Sequence, residues 1–254
     1  MPYARLTLEI APPIALLTLS NGTQNVIDIP MMQELVTALE EVEKQKSVST
    51  LILSGKGANF SAGVDVAAHR PGSTRQMLTE FHSAIRSLVS SKKVTIAVVR
   101  GSCLGGGAEL AMVCDMVYTA RDARWAFPEI KLGCFPPVAA VGLAALVGQK
   151  RAAELILTGR QISGAEALAI GLANAAVDVS ELDAAVRECT ERLAQLSPAS
   201  LAVTKKAIYC WDAMHFDKGL NRAEQIYIDE LMQLADAKEG IEAWLEKRAP
   251  KWSP

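Results

Sequence analysis

Four short apolar runs, Ala15–Leu19, Thr50–Ser54, Val94–Val99 and Met116–Thr119, stand between polar or turn-forming residues and are too short for helices. They predict buried strands. Residues 5–20 read as extended chain as a whole, closed by the turn signal Asn21-Gly22. Between the first two runs the period lengthens to 3.6: Pro30 opens a helix, and Met32, Leu35, Leu39 and Val42 mark one apolar face from Met31 to Lys44. Strand, helix and strand in one span argue for α/β organisation. Beyond Leu182 only helical periods occur, broken at Ser197-Pro198 and near Asp217. Ile226, Leu231 and Leu234 suit either a subunit contact or a self-contained core.

Composition narrows the function classes. Half of the 254 residues are hydrophobic, enough for a sizeable core. A net charge of −2 with no basic stripe argues against nucleic acid as a partner. No apolar run reaches bilayer-spanning length, which argues against a membrane partner. Met1–Arg5 lacks the charged-then-apolar layout of a signal peptide. Cys103, Cys114, Cys134, Cys189 and Cys210 form no C-x-x-C pair, as expected of buried thiols in a reducing cytoplasm. His69, His82 and His215 share no metal-ligand spacing and read as ordinary surface or packing histidines. No phosphate-loop or dinucleotide fingerprint is present, so neither a metal nor a redox cofactor is implied.

Two glycine-rich turns carry the candidate chemistry. Gly105, Gly106 and Gly107 follow the Val94–Val99 run and open a helical pattern with Leu110, Val113 and Cys114 as its apolar positions. The first N–H groups of a helix have no intrahelical partner and sit at the positive end of its dipole. Glu109 lies about one turn in, so one segment offers oxyanion donors and a carboxylate. Gly55–Asp65 also comes after a strand; its small residues Ser61, Ala62 and Gly63 leave the Val64 N–H accessible, and Asp65 is placed to cap the next turn of chain. Two such turns make a converging pair of donors, the geometry an enolate or thioester oxygen needs. Glu129 comes after a proline between apolar residues, surroundings that desolvate a carboxyl and raise its pKa.

Three motifs together, Ala58–Asp65, Gly105–Ala111 with Asp115, and Phe127–Gly133, resemble the crotonase (enoyl-CoA hydratase/isomerase) superfamily. Glu154–Arg160 and Ala165–Leu172 are similar to that family's helices after the active site, and Asp236–Arg248 to its C-terminal helix. The resemblance covers nearly the whole chain. It implies an α/β fold, a crotonase-like spiral of repeated β-β-α units. A helical C-terminal region would then build trimers or pairs of trimers, with the core ending near residue 195 and the helical part spanning 196–254. It also implies an acyl-CoA substrate, no cofactor beyond the coenzyme A of that substrate, and stabilisation of a thioester enolate by the N–H groups of Val64 and Gly106. Coenzyme A would lie along Val26, Ile27 and the turn Ala62, Gly63, Val64, Asp65, Val66. Gly105, Gly106, Pro128, Gly133, Phe135 and Pro137 complete the expected substrate contacts.

Hydratases of this family use two glutamates, and both positions are filled, by Glu109 and Glu129. Some relatives bind RNA instead; the two glutamates and the missing basic cluster argue against that here. There are departures. Asn25–Asp28 differs from the usual Asn-Ala-Leu pattern, and Pro137 stands where those hydratases carry a glycine whose N–H helps hold the water. Proline has no N–H to donate. Ser61–His69 with Leu132–Ala139 is most similar to the branch that hydrates cyclohexa-1,5-diene-1-carbonyl-CoA. Straight-chain enoyl-CoA hydratase and enoyl-CoA isomerase are the alternatives.

Overall fold

The computed structural model describes residues 3–70, 72–209 and 212–252, with the backbone alone for 212–215. Cys210 and the His215 side chain lie outside the described residues. β1 (Leu6–Ala11) and β2 (Ile14–Leu19) form an antiparallel hairpin that pairs Leu6 with Leu19. α1 (Ile29–Lys44) starts where Asp28 caps it, Oδ1 accepting from the Met31 N–H at 2.9 Å. Its buried face is Met31, Met32, Leu35, Ala38, Leu39 and Val42, the stripe that the period predicts. β3 (Thr50–Gly55), α2 (Thr74–Val89) and β4 (Val94–Val99) come next. Every residue of β4 is buried, as expected for a central strand covered on both faces.

β5 (Ser102–Leu104) leads into α3 (Gly106–Met112), and then to β6 (Met116–Ala120) and β7 (Arg124–Ala126). α3 is short: Val113 is its C-cap and Cys114 lies beyond it, so the expected helical pattern ends one residue after Ala111. Then come α4 (Pro137–Val147), α5 (Gln149–Thr158), β8 (Ile162–Ser163), α6 (Gly164–Ala169) and β9 (Ala175–Val177). The chain closes with α7 (Leu182–Ala194), α8 (Pro198–Tyr209), α9 (Asp212–Asp229) and α10 (Ala235–Leu245). Among the described residues no helix is long and apolar enough to cross a membrane.

The larger sheet has the order β1-β2-β3-β4-β6-β9, parallel except at the first pair. The smaller has the order β5-β7-β8 and is extended by single bridges, Ile27 to Val64 and Ser61 to Cys103. Most turns of the chain thus lay a strand in the large sheet, then a short strand or bridge in the second layer. This is the spiral of β-β-α units. Both glycine-rich turns lie where the chain passes from the first layer to the second.

α8 is tied to the sheet by a buried ion pair. Asp115 Oδ2 accepts from the Thr95 N–H at 2.7 Å and lies 2.8 Å from Lys205 Nζ, which also donates to the Lys93 carbonyl at 2.9 Å. α9 runs unbroken through Asp217, where a break was expected. Inside the helix Asp217 serves as a tertiary partner: Arg86 Nε on α2 donates to its Oδ1 at 3.0 Å. Ile226 and Leu231 are half-buried and Leu234 is exposed.

Removing one member of a buried ion pair leaves the other charge uncompensated. Lys205→Ala is therefore expected to cost about 3–5 kcal/mol of stability, read as a lower urea midpoint of unfolding.

Candidate active site

Asn25 organises the first glycine-rich turn. It is fully buried at φ +48°, a conformation that asparagine tolerates better than most residues. Its Nδ2 donates to the carbonyls of Lys56 (3.0 Å), Asn59 (2.9 Å) and Phe60 (3.2 Å). Ser61 Oγ donates to the Asn25 carbonyl at 2.7 Å and accepts from the Gly63 N–H at 3.0 Å. The Ile27 N–H then bonds the Gly63 carbonyl at 2.9 Å, and the Asp65 N–H bonds the Ile27 carbonyl at 3.0 Å. In this parallel pairing Ile27 engages the residues on either side of Val64, which turns the Val64 N–H away from the ladder. Among the described residues it has no acceptor.

Gly106 opens α3, so its N–H has no intrahelical partner either. The two turns touch: a Cβ on Gly106 would lie 2.6 Å from Val64 Cγ2, and one on Gly63 would lie 2.7 Å from the Leu104 carbonyl. Two free N–H groups therefore stand side by side on the wall of a cleft of about 380 Å³.

Both glutamates line that cleft. Glu109, on α3, is 3% exposed, and Glu129, in the single 3-10 turn Pro128–Leu132, is 9% exposed. Glu109 Oε1 accepts from the Ala139 N–H at 2.9 Å, with the Val138 N–H also directed to the carboxylate. α4 thus presents its positive end to Glu109. Burial pushes the Glu109 pKa up to about 7, with these two N–H groups holding it back. The Glu129 pKa is raised well above its ordinary value, first by burial and then by the Glu109 charge. Glu129 packs against bare backbone: Gly105, at φ +51°, has no Cβ, and one built there would lie 2.6 Å from Glu129 Oε1. A helix terminus favours the anion of Glu109, and burial beside that charge favours the protonated form of Glu129.

Across from them are groups that periodicity and motif did not single out. Met77, Leu78 and Phe81 from α2 supply an apolar wall, joined by Leu104, Leu132 and Pro136. His69 and Lys131 also line the cleft. Trp244 on α10 does too, although it is 55% exposed. Tyr227 reaches the cleft from α9, its ring 5.2 Å from Phe135. The Cys134 thiol, a weak hydrogen-bonding group, lies beside it. His82 is not an ordinary packing histidine: it is fully buried in the cleft wall with Nδ1 2.6 Å from Glu224 Oε1 on α9. Among the described residues the buried side-chain N and O atoms without a hydrogen-bond partner are His82 Nε2, Glu129 Oε2 and Tyr227 Oη. All three residues line this one cleft.

Of the residues singled out from sequence, Ala62, Gly63, Val64, Val66, Gly105, Gly106, Glu109, Pro128, Glu129, Phe135 and Pro137 are brought together in the cleft. Val26, Ile27, Asp65 and Gly133 lie outside its lining. Ile27 is a core side chain, and Asp65 Oδ1 caps the turn Val66–His69 by accepting from the Ala67 N–H at 3.1 Å. Gly133 faces the start of α10, where a Cβ would lie 2.7 Å from the Asp236 carbonyl. Cys103, Cys114, Cys134 and Cys189 are buried free thiols. Among the described residues no group of three or more His, Cys, Asp or Glu is placed to hold a metal ion.

Fold and cleft together define an enzyme of the crotonase kind, with two free N–H groups and two buried carboxylates in one cleft. The enoyl-CoA hydratase/isomerase family model matches residues 9–254, and the chain belongs to that family. It is 35% identical over 248 residues to the cyclohexa-1,5-dienecarbonyl-CoA hydratase of Thauera aromatica, covering 98% of this chain and 96% of that one. It is 33% identical over 253 residues to a probable enoyl-CoA hydratase of Bacillus subtilis (strain 168), covering 97% of this chain and 98% of the relative. Among solved structures, an enoyl-CoA hydratase from Mycobacterium avium subsp. paratuberculosis K-10 superposes with a TM-score of 0.89 at 26% identity, over the full length of both chains.

The Asn25 network yields a sharp contrast between two substitutions. Asn25→Ala removes three donated hydrogen bonds, whereas Asn25→Asp directs a carboxylate at the same three carbonyl oxygens. Asn25→Asp is expected to be the more damaging, lowering the melting temperature further than Asn25→Ala in thermal denaturation at pH 7.

Proposed function

We propose that the protein adds water to the double bond of an unsaturated acyl-CoA thioester. One observation carries this reading: two buried carboxylates with unequal proton affinity share a cleft with two unengaged N–H groups. The thioester oxygen accepts from the Val64 and Gly106 N–H groups. Glu109, as carboxylate, takes a proton from water as the hydroxyl oxygen bonds to the β-carbon. The π electrons move onto the thioester oxygen, where the two donors hold the enolate; such a donor is worth roughly 2.7–4 kcal/mol of barrier. Glu129, as the acid, returns a proton to carbon, and the proton on Glu109 is released or passed on to restore the starting pair.

The substrate that this reading favours is cyclohexa-1,5-diene-1-carbonyl-CoA. Hydroxide adds at C2, the dienolate extends to C5, and protonation at C5 gives 6-hydroxycyclohex-1-ene-1-carbonyl-CoA by 1,4-addition, the step placing the enzyme in anaerobic aromatic degradation. Two things support it: the name borne by the Thauera aromatica relative, and a cleft wall stiffened by Phe135, Pro136 and Pro137, which suits a flat rigid ring. The same reading includes a cytoplasmic enzyme needing no cofactor beyond its substrate's coenzyme A. It also includes assembly through residues 196–254 into a trimer or a pair of trimers, which light scattering of the purified protein tests.

Purified protein should hydrate the cyclic diene, seen as a mass gain of one water, and should act weakly on crotonyl-CoA. Turnover of crotonyl-CoA alone would instead make it a straight-chain enoyl-CoA hydratase, and a shifted double bond without mass gain would make it an isomerase.

Glu109→Gln and Glu129→Gln should each lower kcat by roughly 100- to 10,000-fold while binding of a saturated acyl-CoA persists. Because the base must be deprotonated, kcat/KM should rise with pH through about 7, the region to which burial lifts Glu109. It should fall again only above the raised pKa of Glu129. A flat profile across this range would remove the pair from the mechanism.

A further inference from the structure

α4 begins inside the protein, at two fully buried residues, Val138 and Ala139. The first N–H groups of a helix lack intrahelical partners, and buried ones need a partner from elsewhere. Other helices of this chain supply it from the N-cap residue itself. Asp28 Oδ1 accepts from the Met31 N–H at the start of α1, and Ser163 Oγ accepts from the Glu166 N–H at 3.1 Å at the start of α6. At α4 the N-cap is Pro136, whose side chain carries no acceptor, and the first helical residue is Pro137, which has no N–H. The Pro136 carbonyl accepts the first intrahelical bond, from Ala140 at 2.9 Å.

The Val138 and Ala139 N–H groups are thereby left to Glu109. Its Oε1 accepts from Ala139 at 2.9 Å, and the Val138 N–H is directed to the same carboxylate. A serine, threonine or aspartate at position 136 would suit α4 better as a local cap. It would also take the donors that Glu109 uses. The Pro137 ring adds a second effect: it holds φ close to the helical value, so the helix start is pre-organised and both N–H groups face one place.

We propose that Pro136 and Pro137 are positioning residues for the base: they leave α4 without a cap of its own, so that the Glu109 carboxylate is its cap and is held in one orientation beside the cleft. This rests on the reading of Glu109 as the group that takes a proton from water, and deepens it. Each time Glu109 takes that proton, α4 exchanges a charged cap for a neutral one, which favours releasing the proton again. The titratable groups that feel the Glu109 charge are Glu129 and Tyr227, with Cys134 next to both; His69, His82 and Lys131 also line the cleft. α4 and β4 carry none, and β5 only the buried Cys103 thiol. Substitutions at positions 136 and 137 leave all of these in place.

Titration of Glu109 itself tests this without a substrate. Full-length protein labelled with carbon-13 at the glutamate side-chain carboxyls would be followed by NMR across the range in which buried carboxyls ionise, the Glu109 signal being the one missing from Glu109→Gln. Pro136→Ser offers α4 a neutral cap of its own and should raise the Glu109 midpoint by roughly half to one pH unit. Pro137→Gly frees φ at the helix start and should raise it by a similar amount, with circular dichroism confirming that each variant is folded. A midpoint that stays or falls in a folded variant overturns the role of that proline. In the wild-type protein the Val138 and Ala139 amide shifts should titrate with the Glu109 carboxyl; shifts that do not follow it would overturn the proposal without any variant. If wild-type Glu109 titrates as an exposed carboxyl does, near about 4.3, the reading of a buried catalytic pair fails and takes this inference with it.

Discussion

Two carboxyl groups in one water-poor cleft repel each other when both are charged, so the pair is forced into unequal protonation. The structure decides which way. Glu109 receives N–H groups of Val138 and Ala139 at the start of α4, while Glu129 has an unmet Oε2 and the Glu109 charge beside it. A helix terminus supplies the field that sets up the asymmetry. It also explains why both chain segments are held so tightly. A carboxylate displaced by an ångström would lose either its N–H partners or its contact with bare backbone at Gly105.

That tightness comes from backbone rather than from large side chains. The Val64 N–H is free because Ile27 engages the residues on either side of it, and Ile27 is positioned by the turn that Asn25 and Ser61 stitch together. The glycines matter for what they omit, since a Cβ at Gly63, Gly105 or Gly106 would overlap its neighbours. The spiral brings the two turns side by side because each marks the passage from the large sheet to the second layer. The fold and the placement of the two free N–H groups are therefore one construction.

The C-terminal helices complete the cleft from outside the spiral. α8 is fastened by Lys205 to Asp115, and α9 by the Arg86 bonds to Asp217, Asn221 and Glu224. In consequence Tyr227 and Glu224, far along the chain, reach the glutamate pair and His82. The apolar part of the cleft is thus shared between an early helix, α2, and a late one, α9. Changes in substrate preference have two places to act without touching the oxyanion turns.

Local features of the sequence determined the first hairpin, β3, β4, β6, α1, the two glycine-rich turns and the pairing of Glu109 with α3. Each depends on residues within a few positions of one another, where periodicity, capping and the missing Cβ act directly. The family's motifs extended this to the spiral and to Glu129, because their order along the chain repeats. Contacts across long separations were not accessible in the same way. Asp217 reads as a helix break yet lies inside α9 and meets Arg86, and His82 reads as packing yet has Glu224 2.6 Å from its Nδ1. Only the tertiary structure decided these, because whether a buried polar atom is satisfied depends on which distant groups the fold brings within about 3 Å.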